Sequence, residues 1–404
     1  MNVYSIWPFF VGMAILLATA YTPFFRAADT PPNPKGNRVS TLDGLRGFLA
    51  LGVFFHHALL YHSFLLNGRW EAPPSQFYTL LGQVGVAIFF MITGYLFWSR
   101  VIVQQGRISW FSLYVGRIFR IGPLYLCVVL FMFVVMGMHS EWHLHVHVMI
   151  MVKQLIKCFT LGFYPIDDLN GYPSSGWVLA GVTWTLKYEW WFYISLPFTA
   201  LVTRFPKFHL PCVVIGLLAT LVYVVTHPST SIVGNAPASV CILLFLIGMT
   251  CGSLQHKGLI LKLPESISSL VLLLLFITVF TLFHGIENSG WEGMACLLLG
   301  VAFYLIICGC TLFGLLTSKP ARRLGDVSYG IYLLQGGVLI LLFSQPLISV
   351  FALSSAYQYW CVILINAVLL IVLATIMHVY IERPGIDAGK CISKYWQRKT
   401  FVIS

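Results

Sequence analysis

Charge is what this chain has least of. Lys, Arg, Asp and Glu together supply 9% of the 404 residues, where a soluble domain carries about a quarter, and only 13 of them are acidic. A water-soluble enzyme is thereby excluded. A hydrophobic content of 58% and a mean hydropathy of +0.85 belong to a chain that crosses a membrane many times. The shortage of acid leaves a net charge of +11. No basic run and no Lys/Arg patch interleaved with aromatics accompanies it, which removes nucleic acid as a partner and leaves membrane topology as the source of the excess. Metal-ligand spacing is missing too, so no metal is expected. Among the ten cysteines only Cys308 and Cys310 stand close, as CxC inside an apolar run, and most of the others fall in apolar stretches as small core residues.

What is present is a series of long apolar runs. Membrane helices are read near 3–25, 42–64, 80–98, 119–138, 178–203, 210–227, 237–254, 266–284, 293–316, 329–350 and 358–381. The first is expected to be a retained span with its N-terminus outside, because no basic residue precedes it as one would in a signal peptide. A Pro-rich linker from Arg26 to Ser40 follows. In this orientation every Lys and Arg except Arg69, Lys153, Lys157 and the intramembrane Lys187 lies on the cytoplasmic side, together with the C-terminus. The segment 139–177 is the least settled. Its moderately apolar part, 148–163, is open to being interfacial, re-entrant or spanning, and His143, His145 and His147 lie in a polar outside loop with no carboxylate or Cys cluster to complete a metal site.

One stretch combines apolar length with ionisable groups: Arg38 to His62, RVSTLDGLRGFLALGVFFHHALLYH. The eleven positions from Arg46 to His57 turn about 1100°, within roughly 20° of three full turns, so both side chains share a face, about 16 Å apart along the axis. His56 points about 100° away. A cation near the membrane surface and an imidazole near its centre are expensive there, which is a reason to look for function. Elsewhere, Arg117 and Arg120 are helical neighbours, and Glu189 is an acid in an otherwise apolar span beside Lys187.

These residues fall in a set of motifs: LDGLRG at 42–47 with His57 beyond it, GQVGVAIFFMITGYLFW at 82–98, RIFRIGPLY at 117–125, WTLKYEWWFY at 184–193, LGDVSYGIYLLQ at 324–335 and IERP at 381–384. In this order they resemble the acyltransferase family 3 membrane enzymes. The resemblance implies an all-α polytopic membrane protein: a core of about ten helices over 38–385, an extra N-terminal transmembrane helix and linker at 1–37, and a basic cytoplasmic tail at 386–404 drawn to membrane lipid. It also implies transfer of an acyl group, usually acetyl, from cytoplasmic acyl-coenzyme A to a hydroxyl of a cell-envelope carbohydrate such as lipopolysaccharide O-antigen or exopolysaccharide. The setting would be the inner membrane, and no permanently bound cofactor is needed.

Chemistry assigns roles within that frame. A sugar hydroxyl needs a base, and histidine, with an ordinary pKa near 6.5, is suited to it; His57 is the candidate because it shares the Arg46 face. Arg46, Arg117 and Arg120 match the phosphates of coenzyme A, which guanidinium forks grip. Glu189 is a second catalytic candidate, with three roles open: orienting His57, binding acceptor hydroxyls, or pairing with Lys187 or an arginine. Asp43, Thr93 and Tyr329 are supporting residues, Asp43 by orienting Arg46 or capping its helix. Gly82, Gly85 and Gly94 form a small-residue face suited to close packing or to making room for the pantetheine arm. Two positions depart from the resemblance: Thr93 stands where Ser is common, and Gln335 where many relatives have His, so that position supplies no imidazole here. A rival of another class, a transporter or flippase of a glycan or lipid-linked precursor, would use the same ionisable residues, but no inverted repeat with paired broken helices is apparent.

Overall fold

Hydrocarbon offers backbone N–H and C=O groups no partner, so apolar runs of this length must close their hydrogen bonds internally as helices. The computed structural model follows that rule; it describes residues 2–29, 39–164, 166, 168–172, 175–227, 237–283 and 292–403. Among the described residues, regular structure is helical apart from one isolated bridge between Leu169 and Tyr172. The helices are α1 (Trp7–Tyr21), α2 (Ser40–Asn67), α3 (Gln76–Val103), α4 (Trp110–His139), α5 (Val148–Cys158), α6 (Trp184–Thr203), α7 (His209–Thr226) and α8 (Ala238–His256). They continue with α9 (Glu265–Leu282), α10 (Glu292–Ile307), α11 (Lys319–Asp326), α12 (Ser328–Phe343), α13 (Pro346–Ser354), α14 (Ala356–Met377) and α15 (Arg383–Ile403). Arg38 and residues 30–37 of the linker lie outside the described residues.

Among the described residues, seven helices are long and apolar enough to span a membrane, or eight if α11 and α12, bent by 67°, make one crossing. This is an all-α polytopic membrane protein. The other three expected spans correspond to α1 and α10, of 15 and 16 residues, and to α6, whose Thr185, Lys187 and Glu189 lower its apolar character. Two boundaries differ from expectation. The run read at 293–316 leaves the helix after Ile307, and the run at 329–350 divides into α12 and α13 at Ser344–Gln345, where Pro346 starts a new helix. At 11 residues, or about 16 Å, α5 is too short to span.

The buried α2 forms the centre, against α3, α11 and α12, while α7 and α9 are the most outward-facing spans. Small residues allow the close contacts. A Cβ on Gly94 would strike the Phe245 carbonyl and one on Gly248 the Met91 carbonyl, so α3 and α8 touch backbone to backbone. On α4, Pro123 cannot donate to the Phe119 carbonyl, and Gly385 of α15 packs there, its Cβ position 2.8 Å from that oxygen. The expected tail thus begins as a helix laid along α4, with Trp396 stacked on Phe111 at 4.6 Å and Gln397 donating to Ser112 at 3.2 Å.

Candidate active site

Five helices enclose a cavity of about 310 Å³, and each contributes a stripe set by helical spacing. From α3 come Phe89, Thr93, Phe97 and Arg100, and from α6 Thr185, Glu189 and Tyr193, four residues apart. The start of α12 supplies Ser328, Tyr329 and Tyr332, α4 supplies Arg117, Arg120 and Ile121, and α2 supplies Arg46. The three arginines singled out in the sequence therefore meet at one cavity with Glu189, Thr93 and Tyr329. Arg100 joins them. It was read only as part of the inside charge, although it stands seven residues beyond Thr93, two turns along the same face.

Each polar group is held differently. The Arg117 guanidinium lies 4.9 Å from the centroid of Phe97, a cation–π contact between two residues of the cavity wall. Arg120 is 4.0 Å from Glu382, which is fully buried and accepts from His378 at 2.8 Å. Arg383 in turn donates to His378 at 3.2 Å and reaches the backbone carbonyls of Ala27, Ala28 and Asp29. Glu382 and His378 sit on the π turn that joins α14 to α15, which brings residues four apart to one another. Sequence reading noted IERP but gave Glu382 no role. Glu189 accepts from Tyr193 at 2.7 Å, while Lys187 is exposed and lies 6.0 Å over the Tyr188 ring, so among the described residues the expected pairing with Lys187 is not made, and the charges acting on Glu189 are those of Arg117, Arg120 and Arg46. Tyr329 donates to the Ile121 carbonyl at 2.9 Å, tying α12 to α4. Arg46 is half-buried, and the carboxylates of Asp43, Glu382 and Asp326 lie near enough for their charges to act on it.

His57 is not part of the cavity wall. It lies one turn beyond it, against α12: its Nδ1 is 3.3 Å from Gln335 Oε1, and its ring stacks on Trp70 at 6.2 Å. Gln335 is completely buried and donates through Nε2 to the Tyr332 carbonyl at 2.8 Å, which fixes the amide so that Oε1 faces the imidazole. The side chain at this departure from the family pattern is thus a direct partner of His57. The Val53 carbonyl is a second acceptor for the imidazole, and a donating Nδ1–H leaves the Nε2 lone pair available. His56 turns elsewhere, with Nδ1 2.9 Å from the Tyr78 carbonyl and its ring in the space a Gly82 side chain would fill, at 2.6 Å.

The glycines of α3 serve packing. Gly82 is occupied by His56, Gly85 by Val53 and Gly94 by the α8 backbone, while Thr93 faces the cavity. Asp43 is in the first turn of α2, its carbonyl packed against Gly325 of α11. Among the histidines of the 139–177 segment, His147 caps α5 by accepting from the Met149 nitrogen at 3.3 Å, and His145 meets the Tyr172 ring edge at 5.7 Å. Asn170 bridges that loop through the His145 nitrogen and the His143 carbonyl. Among the described residues no three His, Cys, Asp or Glu side chains converge as a metal site.

Comparison with known proteins gives a family match over residues 39–379, to the acyltransferase 3 family described as "Acyltransferase domain". Nodulation protein 10 of Rhizobium leguminosarum bv. viciae is 30% identical over 172 residues, 40% of this chain and 44% of that protein, so the chain spans less than half of that relative's length. No solved structure matches.

Proposed function

The chain belongs to the acyltransferase 3 family and is a multi-pass membrane acyltransferase, and from that premise we propose that it moves an acetyl group from acyl-coenzyme A to a hydroxyl of a cell-envelope carbohydrate. The observation that carries the donor assignment is the convergence of Arg46, Arg100, Arg117 and Arg120 on one cavity with a single lining carboxylate, Glu189. Such an excess of guanidinium suits a ligand with several phosphate charges. In this reading the arginine end opens to the cytoplasm, the N-terminus is outside and the C-terminus inside, in the inner membrane.

The pantetheine arm then runs toward His57, over about the 16 Å rise of eleven helical residues. His57 Nε2 takes the proton of the acceptor hydroxyl as its oxygen attacks the thioester carbonyl carbon. The C–S bond breaks, the ester forms, and the imidazolium returns its proton to the departing thiolate, so His57 ends neutral. Gln335 acts on this step without touching substrate, by holding the Nδ1–H tautomer. Glu189, accepting from Tyr193 among the arginines of the donor end, holds their guanidinium groups in place.

The test is direct. Purified protein is given labelled acetyl-coenzyme A and envelope polysaccharide, and label in the polysaccharide supports the proposal. Movement of unmodified glycan across vesicles with no label transfer would replace it by transport. Polysaccharide ester content with and without the gene identifies the acceptor.

A further inference from the structure

The bend between α11 and α12 places the start of a helix at the donor cavity, and three observations meet there. Ser328, the first residue of α12, is 1% exposed and lines the cavity, and its hydroxyl has no hydrogen-bond partner. Buried hydroxyls are normally paired, so one left open beside a cavity calls for a ligand. The 67° bend also starts a new helix dipole, with its positive end and the N–H groups of its first turn at Ser328–Gly330. Finally, a Cβ on Gly47 would stand 2.7 Å from Leu324 Cβ and 2.8 Å from the Gly325 nitrogen. That packing sets the turn carrying the Arg46 guanidinium against the residues leading into Ser328.

We infer that the first turn of α12, with the Ser328 hydroxyl and the Arg46 guanidinium, is a phosphate-binding subsite. The inference rests on the donor reading above and deepens it: this subsite takes one of the donor's phosphates and leaves Arg117 and Arg120 for the others. Helix-start N–H groups, a hydroxyl and a guanidinium all donate, which is what phosphate oxygens accept. A nucleotide donor, a phospholipid headgroup and inorganic phosphate share that chemistry, so the test must separate them.

Full-length protein is titrated calorimetrically with acetyl-coenzyme A, with S-acetylpantetheine, which keeps the arm and lacks the phosphates, with inorganic phosphate, and with phosphatidic acid in nanodiscs. Ser328→Ala should weaken acetyl-coenzyme A binding roughly tenfold or more, the effect of losing a hydrogen bond to a charged group, and leave S-acetylpantetheine unchanged. Unaltered acetyl-coenzyme A affinity in Ser328→Ala overturns the subsite while the donor reading stands. Phosphate or phosphatidic acid binding that Ser328→Ala abolishes, with no preference of the wild type for acetyl-coenzyme A over S-acetylpantetheine, keeps the subsite and overturns the donor reading. Binding of none of the four overturns both. If Ser328→Ala fails to fold, maleimide labelling of Ser328→Cys above the wild-type background replaces it. Protection by acetyl-coenzyme A but not S-acetylpantetheine supports the subsite, and equal labelling overturns it.

Discussion

Gln335→Leu removes both polar groups of a fully buried side chain while keeping its bulk. The Tyr332 carbonyl that Gln335 now engages is inside α12, where the helix supplies a donor of its own, so its loss leaves little unsatisfied. What disappears is one of two acceptors for the His57 imidazole, since the Val53 carbonyl one turn back on α2 remains. At 3.3 Å that bond is a long one, worth about 1 kcal/mol within the usual range for a neutral pair. A bias of that size changes the ratio of the two imidazole tautomers by roughly fivefold, since about 1.4 kcal/mol corresponds to tenfold. The turnover number, followed as thiol release at saturating acetyl-coenzyme A and acceptor, should therefore fall, by at most about fivefold. KM for the donor should hold, because Gln335 does not line the cavity. His57→Ala should cost about 10²–10⁴, the usual contribution of a general base, and adding Gln335→Leu to it should cost nothing more. A Gln335→Leu enzyme as fast as the wild type would refute the tautomer argument. Near-normal turnover in His57→Ala would remove the base itself.

Arg46→Gln should raise the donor KM at least tenfold, and an unchanged KM would take Arg46 out of the donor site. Gly94→Ala forces a methyl into the Phe245 carbonyl and should destabilise the α3–α8 contact by about 1–3 kcal/mol, read as a lower melting temperature in detergent. The hydrogen bond from Arg323 holds the Asp29 carboxyl below its ordinary range, at 2.7 Å. A depressed folded-state pKa stabilises at pH values above the unfolded value, near 4, and that stabilisation is lost as pH falls through the lower folded value. With Asp29 half exposed the contribution is under about 1 kcal/mol, so Asp29→Asn should melt slightly earlier than wild type at pH 6, with the difference narrowing as pH falls below about 4.

The spans were legible because hydropathy over some twenty residues is a strong signal, and Arg46, Arg117 and Arg120 were grouped because guanidinium forks suit phosphates, while Glu189 stood out as an acid in an apolar span with its role open. The division of 329–350 was less visible. A window average runs through Ser344 and Gln345 without a dip deep enough to mark a break, and the bend at Val327 leaves no signature of its own. Side-chain partnerships between distant helices were beyond any spacing rule. Gln335 was read as the loss of an imidazole, and only the packing of α2 on α12 showed that it touches His57. Ser328 was passed over because one serine in an apolar motif is unremarked until its hydroxyl is found without a partner beside a cavity. Glu382 was similarly hidden, since its role depends on the π turn that points it toward His378 and Arg120.

The loop after α1 is grasped by two guanidinium groups that come much later in the chain. Arg323 binds Asp29 and the carbonyls of Ala20, Tyr21 and Thr22, and Arg383 holds those of Ala27, Ala28 and Asp29. During synthesis the first helix is made roughly 300 residues before either clasp exists. Its seating is consequently a closing event of biogenesis, governed by long-range loop closure, and until the ribosome has delivered α15 that helix waits in the bilayer without these anchors.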